Sequence, residues 1–571
     1  MKKLKLSKNF LLDNLYLFVL IFSTFLTYFI GELYFYTPNG IDFEKYVKYL
    51  DYFQYNSETT QEGQGLIYYF IVSLVSFIRK DEVSSLNEIN YMNSNIHLAN
   101  FIFYLIGIFG FYILLQKYGY KKRTIFLTLT IVNFCLPVFI MRSILKPEIL
   151  AFCLLPWIVI GLEDYFGNTK IRNFLVVAFP LIIALTLKGS ITAMLGIFLF
   201  LKYFRNIRKS IKTHFICFFI LILLFSFVFI ENERVNNYSV FEHNLTGYSN
   251  YNNVASADFL YTLHKWDYYY FPIFPYHNDS LIGITLLDTF GDYFNVFIDS
   301  DEHLFFYERA DHSFFKYTDS DGFNFGRYFI EYSSILLTLL FYLFGLYFSI
   351  KDNRRVIFYL APLIGIFILT LSAFGIPFNH FDPSKGDTMK SNYYSFLIGF
   401  SIIFIFAKVF QNINLLKVIL VSFIPVIFFI SLGFPKQNTE IIENFVEEKI
   451  IISPLCEVAS IFIKNTNYHD CSNKLKKHCE YNIYSNDAQN MIYKQRQALK
   501  INQENKIKFI DNEKTIEVSD IKTCTTLIKN NTEIFNPIFN RLRPPPVFNL
   551  IYLLLTIYSI IYLARSNYNK K

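Results

Sequence analysis

Apolar runs recur along the whole chain between short polar loops, and that alternation narrows the fold more than any motif does. Once water is gone such a run must satisfy its own backbone groups, and unbroken apolar runs do so as helices. The runs are 15–30, 98–115, 124–141, 149–162, 174–187, 191–201, 215–230, 333–350, 356–374, 393–407, 418–434 and 547–563. They predict an all-α polytopic membrane protein with about twelve transmembrane helices. Composition agrees, with 53% hydrophobic and only 17% charged residues. The net charge of +7 is spread over the short loops, so it marks orientation in a lipid bilayer and implies no nucleic-acid partner. The 67 Phe and 43 Tyr, with abundant Ile, Asn and Lys, need no explanation beyond an A/T-rich coding sequence.

The chain begins MKKLKLSK and enters its first run with no small-residue cleavage site behind it, which reads as an uncleaved span with a cytoplasmic N-terminus. One further apolar segment, 66–78, falls short of the roughly 20 residues a crossing helix needs. If it stays on the outer face, the loops holding Lys117, Lys121, Lys122 and Arg123, then Lys170 and Arg172, then Lys202, Arg205, Arg208, Lys209 and Lys212, then Lys351, Arg354 and Arg355, then Lys408 and Lys417, all fall inside with the basic termini. If it crosses, the first of those loops moves outside and the bias inverts. An outer interfacial helix is therefore expected at 66–78, within an outer loop 31–93. The stretch 174–201 has basic flanks on both sides, so it is expected to form a hairpin of two short helices turning at Lys188-Gly189-Ser190.

The same parity sets the domains. Residues 1–434 form the transmembrane core, with an acidic outer loop at 231–331 that carries His243, His264, His277, His303 and His312. Residues 435–546 form a smaller C-terminal extracytoplasmic domain, and 547–571 the last helix with a cytoplasmic tail. That outer domain holds Cys456, Cys471, Cys479 and Cys524, an even set outside the cytoplasm that suggests disulfides with the pairing open. Cys135, Cys153 and Cys217 lie in spans, where burial suffices to explain them.

Chemistry-bearing residues gather at the outer membrane face. Asp42 and Glu44 stand in the first outer loop, followed by an aromatic amphipathic stretch. Arg142, Lys146 and Glu148 lie between the third and fourth runs, Lys188 at the hairpin apex, and Lys385 and Lys390 before the run 393–407. A carboxylate deprotonates or orients an acceptor hydroxyl while cations hold a phosphate leaving group, which suits sugar transfer from a lipid phosphate. Each residue also has an ordinary reading: loop acids are solvated, and Arg or Lys near helix ends snorkel to the interface. The acidic loop offers donors to a divalent metal but in no ligand spacing, so a hydrated surface is the simpler reading, with a divalent metal as the alternative and no cofactor assigned.

The order of these pieces resembles the GT-C superfamily of integral-membrane glycosyltransferases, in particular the protein O-mannosyltransferase and lipid A aminoarabinose transferase branch. The matching pieces are Asp42-Phe43-Glu44-Lys45-Tyr46, Gln64-Gly65-Leu66-Ile67-Tyr68-Tyr69, Lys146-Pro147-Glu148-Ile149-Leu150, Leu187-Lys188-Gly189 and Lys390-Ser391-Asn392-Tyr393-Tyr394, over roughly residues 10–410. Family members commonly carry adjacent acids in the first loop; here Phe43 separates them. The usual prolines of the interfacial helix are replaced by Gln64 and Gly65. The resemblance implies a multi-pass protein of a bacterial inner or cell membrane, with its active site on the extracytoplasmic face. It further implies a polyprenyl-phosphate sugar donor, an extracytoplasmic acceptor, Asp42 and Glu44 as catalytic acids, and Arg142, Lys146, Lys188 and Lys390 as donor-phosphate ligands.

Two other classes compete. An O-antigen ligase or polymerase would use a large outer loop with key arginines and histidines and needs no first-loop carboxylate. A secondary transporter would show matching halves and polar, broken helices near the midplane, and neither is legible.

Overall fold

The computed structural model describes residues 8–34, 43–54, 64–79, 94–208, 211–236, 281–291, 325–373, 391–411, 415–432, 507–511, 514–518 and 542–568. The chain is mostly helical. In order the elements are α1 (Lys8–Tyr34), α2 (Phe43–Gln54), α3 (Leu66–Arg79), α4 (Ser94–Lys117), α5 (Lys122–Val132), α6 (Leu136–Ser143), α7 (Glu148–Gly167), α8 (Ile171–Thr186), α9 (Gly189–Ile207) and α10 (Ile211–Asn236). Then come α11 (Leu281–Asp288), α12 (Phe325–Lys351), α13 (Val356–Tyr359), α14 (Pro362–Ala373), a 3-10 turn (Ser391–Tyr394), α15 (Ser395–Gln411), α16 (Leu415–Leu432), an antiparallel hairpin of β1 (Ile507–Asp511) and β2 (Lys514–Val518), and α17 (Val547–Tyr568).

Helices stand at every predicted span, but length and composition qualify fewer of them as crossings. Among the described residues eight helices are long and apolar enough to span a membrane, or nine if α5 and α6 count as one bent span. Runs 174–187, 356–374 and 418–434 correspond to shorter apolar helices. Phe18, Phe22 and Phe29 of α1 and Phe215, Phe218 and Phe219 of α10 are exposed, as apolar side chains facing lipid would be.

The core is built round α7, which is apolar on all sides and buried for most of its length. It lies so close to α4 that a Cβ added at Gly110 would sit 2.8 Å from Pro156 and 2.9 Å from Trp157; a small residue permits that approach. Helix α8 packs on α7 and α17, and α15 on α5, α6 and α7. Between α5 and α6 the chain bends by 66°. The bend has a visible cause, because Pro137 opens α6 and Asn133 closes α5 with a side chain that ties three helices. Asn133 Nδ2 donates to Ser23 Oγ at 2.8 Å and Thr24 Oγ1 at 3.0 Å, and its Oδ1 accepts from Tyr104 at 2.7 Å.

Contacts orient the helices end to end. Lys117 bonds Asp164, Arg123 bonds Asp13, Lys202 bonds Glu163, and Asp352 is shared by Arg355 and Lys408. These residues come from the basic loops expected inside, and they form one end of the bundle. At the other end Lys188 meets Glu148, and the amide of Gly65 donates to Leu187 O. Helices α8 and α9 thus run as the expected hairpin, broken at Leu187 and Lys188. The start of α3 thus lies at this second end, and with 14 residues α3 is shorter than the roughly 20 a crossing helix needs. It is more enclosed than a helix lying on an open surface, with Leu66 to Phe70 buried between α2 and α4.

Two features join distant parts of the chain to this end. The amide of Arg543 donates to Phe53 O, so the segment entering α17 docks on α2. Glu231 of α10 then accepts from the amides of Phe548 and Asn549 at 2.9 and 3.0 Å, supplying acceptors that the first turn of α17 lacks.

Candidate functional site

The turn between α6 and α7 is short and entirely buried. Ile144 is extended, Pro147 takes a helical conformation, and between them Lys146 is only 2% exposed. Glu148 opens α7 with 0% exposure. Burying a carboxylate that completely needs a counter-charge. Lys188 supplies it from the break between α8 and α9, its Nζ 3.0 Å from Glu148 Oε1. The break is local in origin: Lys188 is extended, and its carbonyl accepts from Thr192 in the first turn of α9.

Aromatic rings close round these charges. Tyr393, in the 3-10 turn before α15, sets its ring 4.0 Å from Lys188 Nζ and 6.0 Å from Lys146 Nζ, and Tyr46 of α2 sets its ring 5.3 Å from Lys146. Tyr49 stacks on Tyr69 at 4.4 Å, the Tyr69 hydroxyl donates to Gln64 Oε1, and the amide of Gln64 donates to the Tyr49 hydroxyl. Tyr68 donates to Asn100, whose Nδ2 donates to Ile144 O, so the turn before Lys146 is held from α3 through α4. Burial, with the Glu148 carboxylate a smaller contributor, raises the Tyr68 and Tyr69 hydroxyls above the ordinary phenol range. They remain protonated donors.

Arg142 has a separate setting. Its guanidinium lies 4.8 Å from the Tyr104 ring and 5.2 Å from the Phe139 ring, and both terminal nitrogens are buried without a hydrogen-bond partner among the described residues. Asn133 fixes Tyr104 through its hydroxyl, so the bent helix pair sets this cation as well.

Of the residues singled out from the sequence, the fold brings together Lys146, Lys188 and Glu148. Arg142 stands on the same connection between α6 and α7, among different partners. Glu44 lies in the first turn of α2, two residues before Tyr46, while Asp42 and Lys390 lie outside the described residues. So do Lys385, the four cysteines of the outer domain and the five histidines of the acidic loop. Sequence reasoning missed Tyr46 and Tyr393 as neighbours of the charges, and Asn100 as the tie to the turn before Lys146. Only the spacing of Tyr46, Tyr49, Leu50 and Phe53 on one face of α2 carried a local signal. Among the described residues no group of three His, Cys, Asp or Glu side chains is placed to hold a metal ion.

The arrangement can hold an anion. Two lysines present donors in a buried, aromatic-walled setting where each hydrogen bond to a phosphate is stronger than in water. Compared with family models, curated proteins and solved structures, the chain gives no match, so the functional reading rests on its residues alone.

Proposed function

We propose that this protein is a membrane glycosyltransferase that moves a sugar from a polyprenyl-phosphate donor to an acceptor outside the cytoplasm. The observation that carries the reading is the convergence of Lys146, Lys188 and Glu148 from two separated helix junctions, under Tyr46 and Tyr393, at the end of the bundle opposite the basic loops. Buried charges at the end of an apolar helix bundle suit a headgroup that enters with its tail in the bilayer.

In the proposed reaction the acceptor oxygen bonds to the anomeric carbon as the bond from that carbon to the phosphate oxygen breaks. The hydroxyl proton passes to Asp42 or Glu44, and the leaving phosphate takes its negative charge onto Lys146 and Lys188, with Arg142 and Lys390 as further ligands. The first turn of α2, which holds Glu44, is tied to the cations because Tyr46 of the same helix covers Lys146. A small apolar pocket lined by Phe290, Phe341, Ile405 and Val421 lies beside α11, whose Asp288 carbonyl accepts from Ser391 in the turn that carries Tyr393, and it suits part of an apolar tail.

The test is mass spectrometry of extracted lipids and surface glycans from cells with and without the protein. Deletion is expected to remove one sugar-bearing surface product and to accumulate a glycosylated polyprenyl phosphate. Unchanged pools of both would overturn the proposal.

A further inference from the structure

A buried carboxylate ordinarily engages both oxygens. Glu148 does not: Oε1 accepts from Lys188 at 3.0 Å, whereas Oε2 is buried with no hydrogen-bond partner among the described residues. The side-chain amide nitrogen of Asn392, the residue before Tyr393, is likewise buried and has no partner among them. The two atoms belong to elements that pack on each other, and Tyr393, next to Asn392, sets its ring 4.0 Å from the Lys188 Nζ that bonds Glu148. An acceptor oxygen and a donor nitrogen in one neighbourhood match a hydroxyl group, which both donates and accepts. They match a phosphate poorly, because a phosphate dianion only accepts and is repelled by a carboxylate.

We propose that Glu148, through Oε2 and with Asn392 as the complementary donor, receives a hydroxyl of the sugar on a glycosyl phosphate whose phosphate lies on Lys146 and Lys188. The inference rests on the donor reading given above and assigns a specificity role to an acid that the transfer step itself does not use. It divides the site by chemistry: the lysines take the charge, and Glu148 reads the sugar. It also bears on turnover, because the product left after transfer is a bare lipid phosphate. That product fills no hydroxyl position, gains charge, and faces the Glu148 carboxylate, so its release is favoured.

Binding by the purified full-length protein tests this, with undecaprenyl phosphate and its hexosyl and pentosyl derivatives as probes. The unaltered protein is expected to prefer at least one glycosylated probe over the bare phosphate. Glu148→Gln removes the charge and keeps the size. It should reduce that preference by about 10-fold or more, as for loss of a hydrogen bond to a charged group. It should also tighten the bare phosphate, because Lys188 is no longer neutralised. A preference unchanged by the substitution, or equal weakening of all probes, would overturn the role and leave Glu148 as a purely structural partner of Lys188. A starting protein that binds every probe without preference overturns this inference alone, whereas one that binds none overturns the donor reading itself. Should Glu148→Gln not fold, the neutral pair Glu148→Gln with Lys188→Gln is compared with Lys188→Gln alone. The preference should then persist in the single variant and vanish in the pair, and its persistence in both would overturn the role.

Discussion

The backbone amide of Gly65 donates to the carbonyl of Leu187 across 3.0 Å, and this bond fastens the start of α3 to the residue next to Lys188. The approach leaves no room for a side chain, since a Cβ at Gly65 would run into the carbonyl oxygen of Thr186. Gly65→Val is therefore expected to push α3 off the α8–α9 junction and to cost about 1–3 kcal/mol, as overpacking does. Thermal unfolding in detergent measures it, and an unchanged midpoint would mean that the contact is loose.

The length of α3 gives a labelling prediction. With 14 residues it is shorter than a crossing helix needs, so the segments before and after it are expected to share a compartment. Cysteines introduced at Ser57 and Ser85 should both react with an impermeant thiol reagent applied outside. Protection of the Ser85 position alone would mean that the segment crosses.

Stability and activity should separate at the Lys188–Glu148 pair. Lys188→Ala leaves a fully buried carboxylate uncompensated and is expected to cost about 3–5 kcal/mol. Replacing both residues by Met should return most of that stability while leaving donor binding lost. Full donor binding by the Met pair would remove the phosphate role of Lys188.

For the acids of the first outer loop the expected effect is kinetic. Asp42→Asn preserves size and hydrogen bonding but removes the base, so turnover should fall by roughly 100-fold or more with donor binding intact. Glu44→Gln is the matched comparison: if it alone abolishes transfer, the roles of the two acids exchange. Full activity in both variants would end the glycosyltransferase reading.

A fifth prediction concerns Glu231, which acts as a cap for a helix more than three hundred positions away in the chain. Glu231→Ala strips two backbone amides of α17 of their acceptors and should destabilise the protein by about 1–2 kcal/mol, by analogy with lost N-caps. Denaturant unfolding would register it. No change would mean that the Pro544–Pro546 segment alone positions the helix.

What was legible in the sequence was local. The break at Lys188 could be read because a charge followed by Gly189 interrupts an apolar run, and the short α3 because parity needed it. The burial of Lys146 and Glu148 was hidden, because a Lys-Pro-Glu sequence is equally at home in a solvated loop and only packing of α3 and α4 against it decides otherwise. The ring of Tyr393 over Lys188 joins residues from distant parts of the chain, and no periodicity reports such a meeting. Twelve runs suggest spans, whereas among the described residues eight helices, or nine with the bent pair, are long and apolar enough to cross, because runs such as 174–187 form short helices. Helix α11 was passed over because it lies in a loop whose overall acidity dominated the reading.

Helices α7 and α9 are joined at two points, by Glu148 to Lys188 near their starts and by Glu163 to Lys202 about 20 Å further along both rods at ~1.5 Å per residue. Two bolts set that far apart on parallel bars of one pitch fix the bars as a ruler: neither can slide by a turn, or roll, without shearing both. The pair is thus a fixed gauge against which the rest of the bundle is measured. Any adjustment around it falls to α2, whose Tyr46 rests on Lys146, and to the Ser391–Tyr394 turn, which packs on both rods.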